Sequence, residues 1–145
     1  MANYPIPVFH FSVSLGGGAP VGFSEVSGLT QEVQAIEYRD GLMSYTTLPL
    51  KRPGLKKAAN ITLKRGIVQA DDAFYNWLNN NGQPGVDRRD LTITLLNDEN
   101  NPVFVWSISQ AWPVKIEGPG LKATGNEIAI ESIELVHEGA TITAS

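Results

Sequence analysis

Apolar and polar residues alternate with a period of two along most of the chain. Phe9, Phe11, Val13 and Leu15 alternate with His10, Ser12 and Ser14, Ile61 and Leu63 with Thr62 and Lys64, and Leu91, Ile93 and Leu95 with Thr92 and Thr94. That period belongs to strands with one face on a core. Val33-Gln34-Ala35-Ile36-Glu37-Tyr38 is rich in residues that suit a pleated surface. The longest pattern places Phe104, Trp106, Ile108, Trp112, Val114 and Ile116 on one face, with Ser107, Ser109 and Lys115 on the other. Pro113 cannot donate to a ladder, so this strand is expected at an edge or bulged there.

The last strand changes phase. Ile128 and Ile130 lie on one parity and Ile133 and Leu135 on the other, which predicts a β-bulge or bend near Glu131 or Ser132; a strand buried on both faces is the alternative. One helix is convincing. Asp71 reads as its N-cap, Asp72 complements the dipole, and Phe74, Trp77 and Leu78 share a face. Asn79-Asn80-Asn81-Gly82 suits a left-handed cap, giving a helix of about ten residues. The expected architecture is all-β with this single helix.

The stretch 39–59 breaks the pattern. It holds Gly41, Pro49, Pro53 and Gly54, with Lys51, Arg52, Lys56 and Lys57 clustered in it, and shows no clean core-facing periodicity. A segment of about 20 residues of this kind inside a compact domain tends to be functional, so a projecting arm is expected, with a loose surface loop as the alternative. Tyr45-Thr46-Thr47-Leu48 suits extension as a strand.

Size and composition narrow the possibilities. The 145 residues correspond to one domain spanning 1–145, long enough to bury roughly 68–70% of the unfolded surface. The absence of cysteine removes disulfides, thiolate nucleophiles and Cys-based zinc sites, and fits folding in a reducing cytoplasm. A net charge of −4 argues against a dedicated nucleic-acid binder. Arg39 is the first basic residue, so a charged signal-peptide n-region is missing. No apolar run approaches the roughly 20 residues of a membrane helix.

Candidate chemistry is sparse. His10 and His137 are the only histidines, and neither has a partner at metal-ligand spacing. Gly120-Leu121-Lys122-Ala123-Thr124-Gly125 has P-loop glycine spacing, but Asn126-Glu127 replaces the Lys-Ser/Thr and a strand follows, so a hairpin turn is expected. Asp71-Asp72 reads as helix capping and Asp98-Glu99 as part of a turn. No catalytic, metal or cofactor site is expected.

Four ordered motifs carry a resemblance over nearly the whole chain. They are Val21-Gly22-Phe23-Ser24-Glu25-Val26-Ser27-Gly28-Leu29 with Ile36-Glu37-Tyr38-Arg39-Asp40-Gly41, then Ile61-Thr62-Leu63-Lys64-Arg65-Gly66, then Phe74-Tyr75-Asn76-Trp77, and finally Ala111-Trp112-Pro113-Val114-Lys115-Ile116-Glu117-Gly118-Pro119-Gly120 with Glu127 to Gly139. Together they resemble the inner-tube proteins of contractile phage tails and contractile injection systems, similar in fold to the type VI haemolysin-coregulated protein. The resemblance implies a β-barrel with one flanking helix and a projecting arm, in a structural protein without enzymatic activity. It implies hexameric rings stacked into a tube, a surrounding sheath, baseplate or spike and terminator proteins at the ends, and DNA or protein cargo in the lumen. No cofactor and no stable membrane anchor are implied. Assembly in the cytoplasm would precede incorporation into a virion or a released phage-tail-like particle. Two departures fall in the arm, where Leu42 replaces a second glycine and Leu50-Lys51-Arg52-Pro53-Gly54 replaces a compact Leu-Pro-Gly turn. The subunit interface is expected at Tyr45, Lys51, Arg52, Lys56 and Lys57. Competing readings are a secreted ring-forming effector carrier of the type VI kind and a small-ligand-binding β-domain using Tyr38, Trp106 and Trp112.

Overall fold

A computed structural model describes residues 5–16, 21–69, 71–79 and 88–144. Its elements are β1 (Phe11–Leu15), β2 (Glu25–Ser27), β3 (Gln31–Tyr38), β4 (Leu50–Ala58), β5 (Ile61–Gly66), α1 (Ala73–Asn79), β6 (Arg89–Leu96), β7 (Pro102–Glu117), β8 (Ile130–Val136) and β9 (Gly139–Ala144). Seven strands run in the order β1-β6-β7-β8-β5-β2, with β9 also on β7, while β3 and β4 pair only with each other. Among the described residues the fold is therefore the all-β, one-helix architecture that the alternating pattern predicts.

The sixteen-residue β7 belongs to two four-stranded layers. Its first half lies between β6 and β9, and Trp112 to Glu117 pair with β8. The corner between them is a bulge. Arg89 faces Ala111 but Leu91 faces Ile108, so β7 carries an extra residue there. Gln110 adopts φ 53° and its N–H donates to Asp90 Oδ1 at 3.0 Å. Bulges of this kind let a strand change sheets.

This bulge corrects the single-face reading of the strand. Beyond Gln110 the parity switches, so Ala111 and Pro113 are buried while Trp112 is partly open and Val114 is 40% exposed. A second shift between Pro113 and Lys115 returns Ile116 to the core side, as the missing donor at Pro113 requires. The bulge predicted near Glu131 is absent. β8 pairs with β5 without interruption from Ile130 to Leu135. Ile128 simply lies outside the strand, 75% exposed, so it imposes no phase on it.

The core forms where the alternating positions of both layers meet. Val13, Leu91, Ile93 and Ile108 come from one layer and Ile61, Leu63, Ile133 and Leu135 from the other. Burying each such side chain contributes about 1.5–3 kcal/mol. α1 adds Phe74 and Trp77, with Asp71 Oδ1 accepting from the Ala73 N–H at 3.2 Å. That bond and the Arg65 guanidinium hold the Asp71 carboxyl below its ordinary range. The described part of the helix is seven residues long, and the cap predicted over 79–82 runs beyond the described residues. Arg65 sits buried at this end, 2.8 Å from Glu131 and 3.2 Å from Asp71, with its guanidinium 4.0 Å from the Phe74 ring centre.

The residues from Val21 to Ser27 cross the remaining gap. Val21 N–H donates to Val13 of β1 and Ser24 N–H to Lys64 of β5, both at 2.8 Å, before β2 joins β5. They span the open side between the two edges of the seven-stranded sheet.

Because directly paired residues share a face, the register defines the outward face of each layer. On the β2–β5–β8–β7 layer one row reads Glu25, Lys64, Ser132, Glu117 and the next Ser27, Thr62, Glu134, Lys115. On the β1–β6–β7–β9 layer the rows read Ser14, Thr92, Ser107, Thr141 and Ser12, Thr94, Val105, Thr143.

Candidate assembly interface

The arm is larger than the sequence pattern suggests. It begins at Gln31, because β3 pairs with β4 along its length instead of joining the main sheet. Every residue of β3 is exposed, and of β4 only Gly54 is partly covered. Tyr45 to Leu48, which suit extension, form a turn and bend instead, and Leu50 to Gly54 runs as strand. The register slips by one residue between Val33 and Ala35, adding a residue to β4 beside Gly54. A Cβ at Gly54 would lie 2.8 Å from the Gln34 carbonyl oxygen, which explains the glycine there.

Arg39 organises the tip by donating to the carbonyls of Ser44 and Thr47. Asp40 Oδ1 accepts from the Leu42 N–H at 3.0 Å and closes a local turn. The tip therefore presents Leu42, Tyr45 and Leu48 to solvent, the first two more than 90% exposed.

The arm residues expected at an interface divide into two kinds. Lys51 faces Glu37 and Lys57 faces Glu32 across the hairpin, whereas Arg52 faces Ile36 and Lys56 faces Val33. The first two have carboxylates within their own arm. Arg52 and Lys56 stand opposite apolar residues, leaving their charge for something outside it. Tyr45 sits apart from all four, on the tip.

The root of the arm is clamped. Ala59 N–H donates to Thr30 at 3.1 Å, and His137 Nε2 donates to the Ala59 carbonyl at 3.1 Å. Gln31 Nε2 donates to Ala140 and Asn60 Nδ2 to Glu134, each at 3.2 Å. Gly28, at φ +89°, brings the chain so close that an added Cβ would lie 2.0 Å from the Asn60 carbonyl oxygen. His137 is thus part of the root, a role not readable from its lone place at the end of a strand.

The other candidates do not converge. His10 lends its carbonyl to Leu96 N–H, and Glu138 meets Arg88 at 2.6 Å. The Lys122–Gly125 bond at 3.0 Å makes the glycine pair part of the β7–β8 hairpin connection. Asn97 Oδ1 accepts from the N–H groups of Glu99 and Asn101, confirming the Asp98-Glu99 turn. Tyr38 is on the arm, Trp112 lies beneath Arg88, and Trp106 lines a cleft with Phe9, Phe11, Val26 and Leu29, so these aromatics share no pocket. Among the described residues no group of three or more His, Asp or Glu is placed to hold a metal. Nor is any helix among them long and apolar enough to cross a membrane.

Two layers sharing β7 and an arm without a core of its own are the features to set beside known proteins. The family described as T4-like virus tail tube protein gp19 matches residues 7–141, and the chain belongs to that family. It is 36% identical to a chain in the cryo-EM structure of the anti-feeding prophage cap, a tube-terminating cap, covering 100% of this chain and 95% of that one with a TM-score of 0.89. It is 35% identical to a chain in the extended sheath–tube complex of the extracellular contractile injection system PVC, covering 98% and 93% with a TM-score of 0.87. Hcp1 from Flavobacterium johnsoniae shares the fold at 14% identity and a TM-score of 0.58, covering 93% of this chain and 95% of that one. Among curated proteins none matches the sequence.

Proposed function

We propose that this chain is the repeating protomer of the inner tube of a contractile injection system, six copies to a ring and rings stacked end to end. The observation that carries this reading is the arm. A two-stranded hairpin is marginal in water on its own, yet this one exposes both faces and an apolar tip. A neighbouring copy supplies the missing cover. Tyr45, Arg52 and Lys56 make that contact, with Lys51 and Lys57 chiefly stiffening the hairpin against Glu37 and Glu32. The Asp98-Glu99 turn offers carboxylates to the arm's cations. Sheath protein surrounds the tube, baseplate or spike and terminator proteins close its ends, and assembly in the cytoplasm precedes release of the particle.

Electron microscopy of the purified chain, with native mass spectrometry across the micromolar range, tests this. Rings of six or stacked tubes are expected. Monomer alone, also in the presence of baseplate and terminator partners, overturns it.

A further inference from the structure

His137 joins the body of the protein to the root of the arm, and its bonds fix where its proton sits. The Ala59 carbonyl can only accept, so the imidazole Nε2 that meets it at 3.1 Å carries the proton. In the neutral ring Nδ1 is then a bare acceptor, and it is buried without a hydrogen-bond partner in the protein. With Leu29, Ile61, Trp106 and Ile108 the ring lines a gap of 10 Å³, at the limit of what holds a single water. An unmatched buried acceptor costs free energy, and a charged N–H in the same place costs more.

His137 also lines a cavity of 630 Å³ between arm and body, walled by Glu32, Lys56 and Lys57 of the arm and by Glu138 beside the ring. These charges are already committed or of the wrong sign. Glu32 faces Lys57 across the hairpin, and Lys56, opposite Val33, adds a positive charge. Glu138 meets Arg88 at 2.6 Å, and Glu134 of β8 accepts from Asn60. β7 brings Trp106 and Ile108 to the ring and β9 brings Gly139 and Ala140, none of them titratable. No carboxylate among these groups accepts from Nδ1.

We propose that His137 is a proton-operated latch on the arm. With the ring neutral, Nε2–H holds Ala59 and the arm keeps one angle. A proton added to Nδ1 has to reach water or a carboxylate, and the ring turns toward the cavity to take it there. Turning withdraws Nε2 from Ala59 and removes one of the few bonds between arm and body. The side-chain bonds that remain, Gln31 to Ala140 and Asn60 to Glu134, are single and each at 3.2 Å. Histidine is the side chain whose charge ordinarily changes between about pH 5 and about pH 8, so the arm is held at the neutral end of that range and released at the acid end. The consequence for assembly rests on the tube reading above: a released arm no longer aims at its neighbour, and rings that stack near neutrality stop stacking in acid.

The chain has no cysteine and two histidines, which makes both labelling and titration specific. Tyr45→Cys at the tip and Glu117→Cys on the body carry spin labels, and the distance between them is measured in unassembled chains at about pH 8 and about pH 5. A narrow distribution that broadens in acid is expected. His137→Gln, whose amide still donates to Ala59 but takes up no proton in this range, should stay narrow at both, and His10→Gln should broaden like the parent. A parent distribution that stays narrow in acid overturns the latch, and so does equal broadening in His137→Gln. Nitrogen NMR of the imidazole rings in the unsubstituted chain should place the His137 proton on Nε2 at neutral pH; a proton on Nδ1 instead overturns the assignment. Tube growth followed by light scattering should fail in acid for the parent and persist for His137→Gln, and failure of both in acid removes the link to stacking. If the parent forms no tubes at either pH, the tube reading falls while the spin-label distances still decide the latch.

Discussion

Arg65 is the one charged residue buried among the described residues, and it ties β5, β8 and the start of α1 together. Removing one partner of such a pair leaves the other charge uncompensated, which costs about 3–5 kcal/mol when both are buried. Glu131 keeps some solvent contact, with 17% of its side chain exposed. Arg65→Ala should therefore fall at the low end of that range in urea denaturation, and Arg65→Met with Glu131→Leu should recover much of the loss. If the double variant is no better than the single, the ion pair is not what Arg65 contributes. Nothing in the sequence singles out Arg65, because its side chain shares the core parity of Ile61 and Leu63 and a charge is not expected there. Trp106 shows the opposite error. An aromatic on an apolar strand face reads as core, yet it is only partly buried, since its outer end borders the open cleft beside Phe9.

At the level of elements, the strands with one buried face were legible because alternation reports burial directly. β5 shows it cleanly, buried at Ile61, Leu63 and Arg65 and partly open between. The arm was legible only as an absence of pattern. With neither face on a core, β3 and β4 have no periodicity to display, so composition alone marks 33–38 as extended and does not tell an arm from a sheet. The bulge at Gln110 was invisible because its cause is a hydrogen bond to Asp90, twenty residues away. For the arm, the cross-strand register decides which charges to reverse. Arg52→Glu with Lys56→Glu should leave the protomer's melting temperature nearly unchanged and impair tube growth. Exposed ion pairs are worth about 0–1 kcal/mol each, but repetition around a ring multiplies them. Lys51→Glu with Lys57→Glu should also loosen the hairpin, by setting carboxylates opposite Glu37 and Glu32. Normal tubes from the Arg52 and Lys56 pair would remove those cations from the stacking contact.

For the whole molecule, the all-β class, the helix position and the family were accessible from residue patterns. Which face each layer turns outward was not, because that requires the register between strands far apart in the chain. Seen whole, the protein is a pair of packed layers with a clamped pointer. The hairpin of eight residues at about 3.3 Å per residue is roughly 26 Å long, so a tilt of about 5° at its root moves the tip by about 2 Å. That is enough to take Tyr45 out of register with any socket. The angle is set where Gly28 presses against the Asn60 carbonyl oxygen. Gly28→Ala should thus leave chains that still melt cooperatively while electron microscopy finds few elongated tubes; abundant straight tubes would show that the root tolerates a side chain. A missing methyl group at one position would then act as the sight by which each copy aims at the next.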